Sequence, residues 1–150
     1  MTGSEGQCKR GWPDTYGDDV NRKRGFVTKS IVTPERKQVF MLDFSPTRGG
    51  ETRDSHPACV LTDAKFNATG LAIVCSASHS LLGSAFAVEI PHSLKLGFEG
   101  YFHPTHIRTV AFRERNPILL GTMPDDLFDE IIQSVVDLVD PDIDQSLIKN

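Results

Sequence analysis

The hydrophobic period of this chain changes at Pro124, and that change constrains the fold more than any other feature. Before it, apolar residues come in short, nearly continuous runs separated by Gly, Pro, Asn and Asp. Such runs predict strands over Val39–Phe44, Ala58–Thr62, Leu71–Ser76, Ala85–Ile90, Gly100–His103 and Arg108–Phe112, bounded by turn residues. Asp63-Ala64-Lys65-Phe66-Asn67 reads as a single helical turn with Asp63 as its cap. After Pro124, the residues Leu127, Phe128, Ile131, Ile132, Val135, Val136, Leu138 and Val139 form a wide helical stripe. Pro124 suits the first turn, Asp125, Asp126 and Asp129 favour the positive end of the helix dipole, and Asp140-Pro141 stops the helix. Short strands with regular turn signals, then one amphipathic helix, predict a mainly β domain: a small barrel or two packed sheets. The helix stripe packs on that domain, and its excess width suits a dimer contact.

A chain of 150 residues has room for one core. Residues 1–36 are rich in Gly and charge and lack periodicity, which predicts a flexible or loosely packed extension. The domain is then expected over 37–140, with a tail over 141–150. No run approaches the length of a membrane span, and no apolar secretory centre stands at the N-terminus. Cys8, Cys59 and Cys75 have no C-x-x-C spacing, and Cys59 and Cys75 lie in strand-like runs that imply buried, inert thiols. The cytoplasm is the expected compartment, without membrane partners. Net charge is −4, yet residues 124–150 hold one Lys against eight Asp and Glu, and the remainder is slightly basic. The overall sign therefore does not exclude a nucleic-acid partner, because local charge decides phosphate contact.

The loop from Asp43 to Pro57 concentrates the chemistry. It joins two apolar runs and carries Arg48, Glu51, Arg53 and His56, groups suited to handling a phosphate and moving a proton. Other constellations are weaker. His103 and His106 lie three apart, which on a regular strand puts them on opposite sides, and no Cys or Glu cluster stands nearby, so no metal site is expected. Ser76, Ser78, His79 and Ser80 lack the G-x-S-x-G elbow of a serine hydrolase.

Over 39–139 the sequence resembles the MazF/PemK-type toxins of bacterial toxin–antitoxin pairs. Val39–Phe44 runs into Pro46-Thr47-Arg48-Gly49-x-Glu51, similar to the family's strand and D-F-x-P-T-x-G-x-E loop. Pro57-Ala58-Cys59-Val60-Leu61, then Phe66-Asn67 and Thr69-Gly70, are similar to its R-P-A-V-V-L…F-N…T-G stretch. Leu71–Val74 leads to Ser76-Ala77-Ser78, where the family has a strand ending in P-[IC]-T. Gly100, Arg108-Thr109-Val110 and Arg113-x-Arg115 follow, and the closing helix completes the order. The resemblance implies an SH3-like β-barrel assembled as a homodimer. It implies a metal-independent, cofactor-free endoribonuclease that cuts single-stranded RNA at short sequences. Its partners would be that RNA, a cognate antitoxin and, only through the antitoxin, operator DNA.

The chain departs from the family at the working end. The family's Arg-Pro at the start of the second strand is His56-Pro57, its Thr or Ser after the third strand is Ser78, and its Gly-Asp before the first strand is Lys37-Gln38. Near Gly100 the family tends to carry an acidic residue followed by Gln, and in some members an arginine two residues before the acid. Here His103, Thr105 and His106 occupy those three places. By position, the resemblance implies His56, Ser78, Glu51, Thr105 and His103 as catalytic groups. Arg48, Arg53, His106 and Arg108 would bind RNA. Two outcomes follow from replacing a fixed charge by an imidazole, a residue type suited to acid–base work. Either the site is rewired, or the protein is a catalytically degenerate, toxin-like binder of antitoxin or RNA.

Overall fold

In the computed structural model, residues 33–46, 48–49, 51, 54–81 and 85–142 are described. Six strands, β1 (Gln38–Asp43), β2 (Ser55–Val60), β3 (Leu71–Ser78), β4 (Val88–Glu89), β5 (Tyr101–Ala111) and β6 (Ile118–Thr122), form one sheet in the order β4-β5-β3-β2-β1-β6. All pairings are antiparallel, and the sheet curls into a half-barrel. Two α-helices, α1 (Ala64–Asn67) and α2 (Asp125–Val139), and a 3-10 turn over Phe112–Arg115 complete the described chain. The expected β domain with a C-terminal amphipathic helix is the fold observed. No helix among the described residues is long and apolar enough to cross a membrane.

The continuous apolar runs have a physical reason: the sheet is buried on both faces. Phe40, Leu42 and Phe44 of β1 and its end join Ala58, Val60, Ala72, Val74, Val110 and Phe112 in one cluster. Their alternate neighbours Val39, Cys59, Cys75 and Ala77 join the other, which α2 closes with Leu127, Phe128 and Ile131. The period of two sorts residues between the faces, so no alternation of polar and apolar residues is needed. Burial holds the Cys59 thiol up at about 12 and raises Cys75 likewise, so neither reacts as a thiolate near neutral pH. Ile132 and Val135 pack against the helix-side cluster, whereas Leu138 and Val139 are exposed.

Local chemistry sets the ends. Asp63 accepts from Phe66 N at 2.9 Å, so the capped turn forms where expected. Asn67 is buried and donates to Pro34 O and Thr62 O, both at 2.8 Å, which fastens the start of the domain to this turn. Lys37 donates to Asp125 at 2.6 Å, and Arg36 lies over the Phe128 ring at 4.9 Å. Those contacts hold the first turn of α2 against the entry to β1.

Three strand expectations need correction. The segment Ala85–Ile90 yields only Val88–Glu89, because Ala85 and Phe86 turn. The segments Gly100–His103 and Arg108–Phe112 are one strand, since buried Pro104 lies in a bulge where no ladder N–H is required. The strand β6 has no counterpart in the sequence reading. Ile118-Leu119-Leu120 between Pro117 and Gly121 was its only signal, and its pairing with β1 itself shifts register between Val39 and Phe40.

Gly100 fixes the junction between β3 and β5. Its φ is +137°, and a Cβ there would lie 2.2 Å from Ser78 O. Neither the backbone angle nor the space admits a side chain. Gly100→Ala is expected to cost roughly 3 kcal/mol or more, measured as a lower urea midpoint. An unchanged midpoint would show that the junction tolerates displacement.

Candidate functional site

The β1–β2 loop starts from a rigid neck. Phe44 N donates to Asp54 O at 2.8 Å, Asp54 N to Ser45 Oγ at 3.0 Å, and Ser45 N to Asp43 Oδ1 at 2.9 Å. Phe44 is buried in the core below. Beyond the neck, Glu51 N donates to Arg48 O at 3.2 Å and Arg48 N to Glu51 Oε2 at 3.3 Å. This reciprocal pair sets the two exposed side chains side by side. Opposite them runs the middle of β5. The cleft between has a volume of about 620 Å³ and is lined by Phe44, Arg48, Glu51, Thr105, His106, Ile107 and Arg108. Arg108 is partly committed already, since its Nη1 donates to Phe44 O at 3.3 Å. Arg53 lies outside the described residues.

A β5 bulge decides what faces this cleft. From Phe102 to Ile107 β5 advances five residues while β3 retreats two, from Ala77 to Cys75, leaving three extra on β5. An odd excess inverts which side chains face which side. Accordingly Phe102 joins the helix-side cluster, while Val110 and Phe112, with the same parity, join the opposite one. The expectation that His103 and His106 face opposite sides therefore fails, because it assumed a regular strand. Their rings lie 5.7 Å apart, centroid to centroid, tilted by 43°. Ser76 Oγ donates to His106 O at 3.5 Å and supports the bulge.

The second group forms beside the cleft, where β2, β3 and β5 meet. His56 Nδ1 lies 3.0 Å from Ala77 O. A carbonyl only accepts, so Nδ1 carries the proton and, in neutral imidazole, Nε2 carries the lone pair. Ser78 Oγ donates to Ser80 O at 3.1 Å and lies 2.9 Å from His103 Nε2. With the hydroxyl proton directed to a carbonyl, His103 Nε2–H is the donor to Ser78 Oγ. The His103 lone pair is then on Nδ1, which is buried and lacks a hydrogen-bond partner among the described residues. A neutral ring tolerates this better than an imidazolium with a buried, unanswered N–H. Burial pushes the His103 pKa below its usual 6.5 and the nearby His106 adds to this, against an opposing contact with the Ser80 backbone and with a smaller lowering from His56.

Of the residues singled out by sequence, Arg48, Glu51, Thr105, His106 and Arg108 share the cleft, and His56, Ser78 and His103 cluster beside it. The two groups meet at the His103–His106 ring contact. His103 itself is 1% exposed, so it reaches a bound molecule only through its neighbours. The sequence reading missed Ala77 O and Ser80 O, backbone acceptors that define two tautomers, and Ile107, the half-exposed apolar residue in the cleft. Backbone acceptors carry no residue-type signal. Among the described residues, no group of three or more His, Cys, Asp and Glu converges as metal ligands would.

A curled antiparallel half-barrel closed by a helix, with a polar cleft over its β1–β2 loop, is the architecture of a small β-barrel domain. The profile of the PemK-like, MazF-like toxins of type II toxin–antitoxin systems matches residues 35–139, and this chain belongs to that family. Among solved structures it is similar to MazF from Deinococcus radiodurans, with 29% identity and a TM-score of 0.67, covering 72% of this chain and 97% of that one. A MazE–MazF structure from the same organism shares 28% identity at a TM-score of 0.60, covering 73% and 98%. An endoribonuclease in complex with its cognate antitoxin, from Mycobacterial species, has the same fold at 16% identity and a TM-score of 0.55, covering 69% and 90%. No curated protein matches the chain.

The buried imidazole makes stability depend on pH. With the folded pKa of His103 below its unfolded value near 6.5, the unfolded chain binds more protons between the two. The stabilisation is full above pH 6.5 and is lost as pH falls through the folded pKa. Urea midpoints at pH 7.5 and 5.5 should therefore differ more in the natural protein than in His103→Gln, which keeps a side-chain donor for Ser78 without titrating. Equal pH dependence in both proteins would remove His103 from this role.

Proposed function

We propose that this chain is a metal-independent, toxin-type endoribonuclease that cuts single-stranded RNA at short, selected sequences. The observation that carries the reading is the His56 contact: Nδ1–H donates to Ala77 O, leaving the basic lone pair on Nε2. In the reaction His56 Nε2 takes the proton of a ribose 2′-hydroxyl, whose oxygen attacks the adjacent phosphorus. The bond to the 5′-oxygen breaks, that oxygen receives a proton, and the products are a 2′,3′-cyclic phosphate and a 5′-hydroxyl. RNA is required because its 2′-oxygen is the nucleophile.

The remaining groups divide the work by chemistry. Arg48 and Arg108 line the cleft beside the reacting phosphate and oppose its charge. Ser78 accepts from His103, and its one hydroxyl proton turns from Ser80 O to a phosphate oxygen. His103 is thus a positioning residue. His106 is the proton carrier for the leaving oxygen, Thr105 donates a further hydrogen bond, and Glu51 keeps Arg48 in place. Arg53 belongs to the same loop in sequence and adds charge toward RNA. No cofactor is invoked.

The working domain is residues 37–140, acting as a cytoplasmic homodimer, with 1–36 and 141–150 as extension and tail. A cognate antitoxin is the protein partner, supported by the similarity to solved MazE–MazF pairs, and operator DNA is reached only through it. The rival reading is a degenerate toxin that binds antitoxin or RNA without cutting. It rests on the imidazole at His56, which cannot grip a phosphate with the two-pronged donor set of an arginine.

Incubation of antitoxin-free protein with mixed RNA in EDTA, followed by mapping of 5′-hydroxyl ends, separates the two. Reproducible cuts are expected, reduced roughly 10²–10⁴-fold in His56→Ala, the range for loss of a general base. Absence of cuts from the natural protein would leave the binding reading standing.

A further inference from the structure

Beyond Met41, β1 loses its neighbour on one side: pairing with β6 ends at Met41↔Ile118, while pairing with β2 continues to Asp43↔Ser55. The carbonyls of Asp43, Phe44 and Ser45 thus leave the ladder just where the cleft loop begins. Backbone carbonyls near a core require partners, and two guanidinium groups supply them. Arg115 Nη1 donates to Ser45 O at 2.9 Å and more weakly to Asp43 O at 3.5 Å, and Arg108 Nη1 donates to Phe44 O at 3.3 Å. Asn116, in the left-handed region at φ 49°, ends the 3-10 turn that carries Arg115.

We infer that Arg115, which does not line the cleft, is a positioning residue that clamps the neck of the β1–β2 loop and so sets the placement of Arg48 and Glu51. The neck bonds Phe44 N to Asp54 O and Asp54 N to Ser45 Oγ tie the two ends of the loop to each other. They do not tie the loop to β5. Arg108 does so at Phe44 O, and Arg115, on the turn after β5, ties the next residue, Ser45, to that side of the sheet. Phe44 is buried and fixed by packing, so the clamp acts at Ser45, the first exposed residue of the loop. Arg115 also frees Arg108 from holding the neck alone and leaves part of its fork available in the cleft. The kinetic consequence rests on the nuclease reading; the clamp itself does not.

Amide exchange tests the clamp directly in the 150-residue chain. In Arg115→Ala, the neck and loop amides of Phe44, Arg48, Glu51 and Asp54 should exchange roughly tenfold faster or more, the scale for losing one charge-assisted hydrogen bond. Amides of β2 and β3 should keep their rates. KM for RNA should rise by a similar factor with kcat within about twofold. Arg115→Lys, which retains a charged donor, should recover most of the loss, and Arg113→Ala, exposed on the same turn, should match the natural protein. Unchanged loop exchange in Arg115→Ala overturns the inference. So does acceleration spread equally over the whole sheet, which would mark a purely structural residue. If the natural protein cuts no RNA, the nuclease reading fails, while the exchange comparison still decides the clamp.

Discussion

The site depends on the mismatch between β5 and β3. Three extra residues on β5 are accommodated without breaking the strand, and their odd number reverses its inner and outer faces. Phe102 enters the helix-side core, and Val110 and Phe112 fill the opposite one. Between these two anchors, His103 is drawn under the end of β3 while Thr105 and His106 face the cleft. A regular strand could not do both, because its alternation would persist from one core to the other. The bulge is therefore the reason that a buried imidazole and a cleft imidazole stand next to each other.

From that placement the hydrogen-bond directions follow. Carbonyl oxygens accept only, so Ala77 O and Ser80 O each orient a proton. One contact puts the His56 lone pair on Nε2; the other makes Ser78 a donor that is held from behind by His103. Burial then keeps His103 neutral, which preserves the direction of the chain. His56 is an imidazole of defined tautomer, and Arg48 and Arg108 line the cleft nearby.

Much of the fold was legible because it rests on local chemistry. Asp63 caps its turn through its own side chain, and the stripe from Leu127 to Ile131 buries because the helical period aligns it. The runs at Val39–Leu42 and Ala58–Leu61 announce strands buried on both faces. β6 was not legible: a short edge strand containing Gly121 is defined by its pairing to β1. Nor was the continuity of β5 through Pro104, since a proline in a strand normally argues for an interruption.

The sequence by itself determined the class of fold, the loop that carries Arg48 and Glu51, and the imidazole of His56 ahead of Pro57. These are properties of residue type, spacing and period, which act over a few neighbours along the chain. Only the tertiary structure decided that His103 is buried beside His106, that Ser78 is held as a donor, and that Arg108 and Arg115 grip the neck of the loop. Those outcomes depend on strand register and on backbone carbonyls brought together from distant segments. A carbonyl is the same in every residue, so no pattern of side chains could reveal which ones would be within reach.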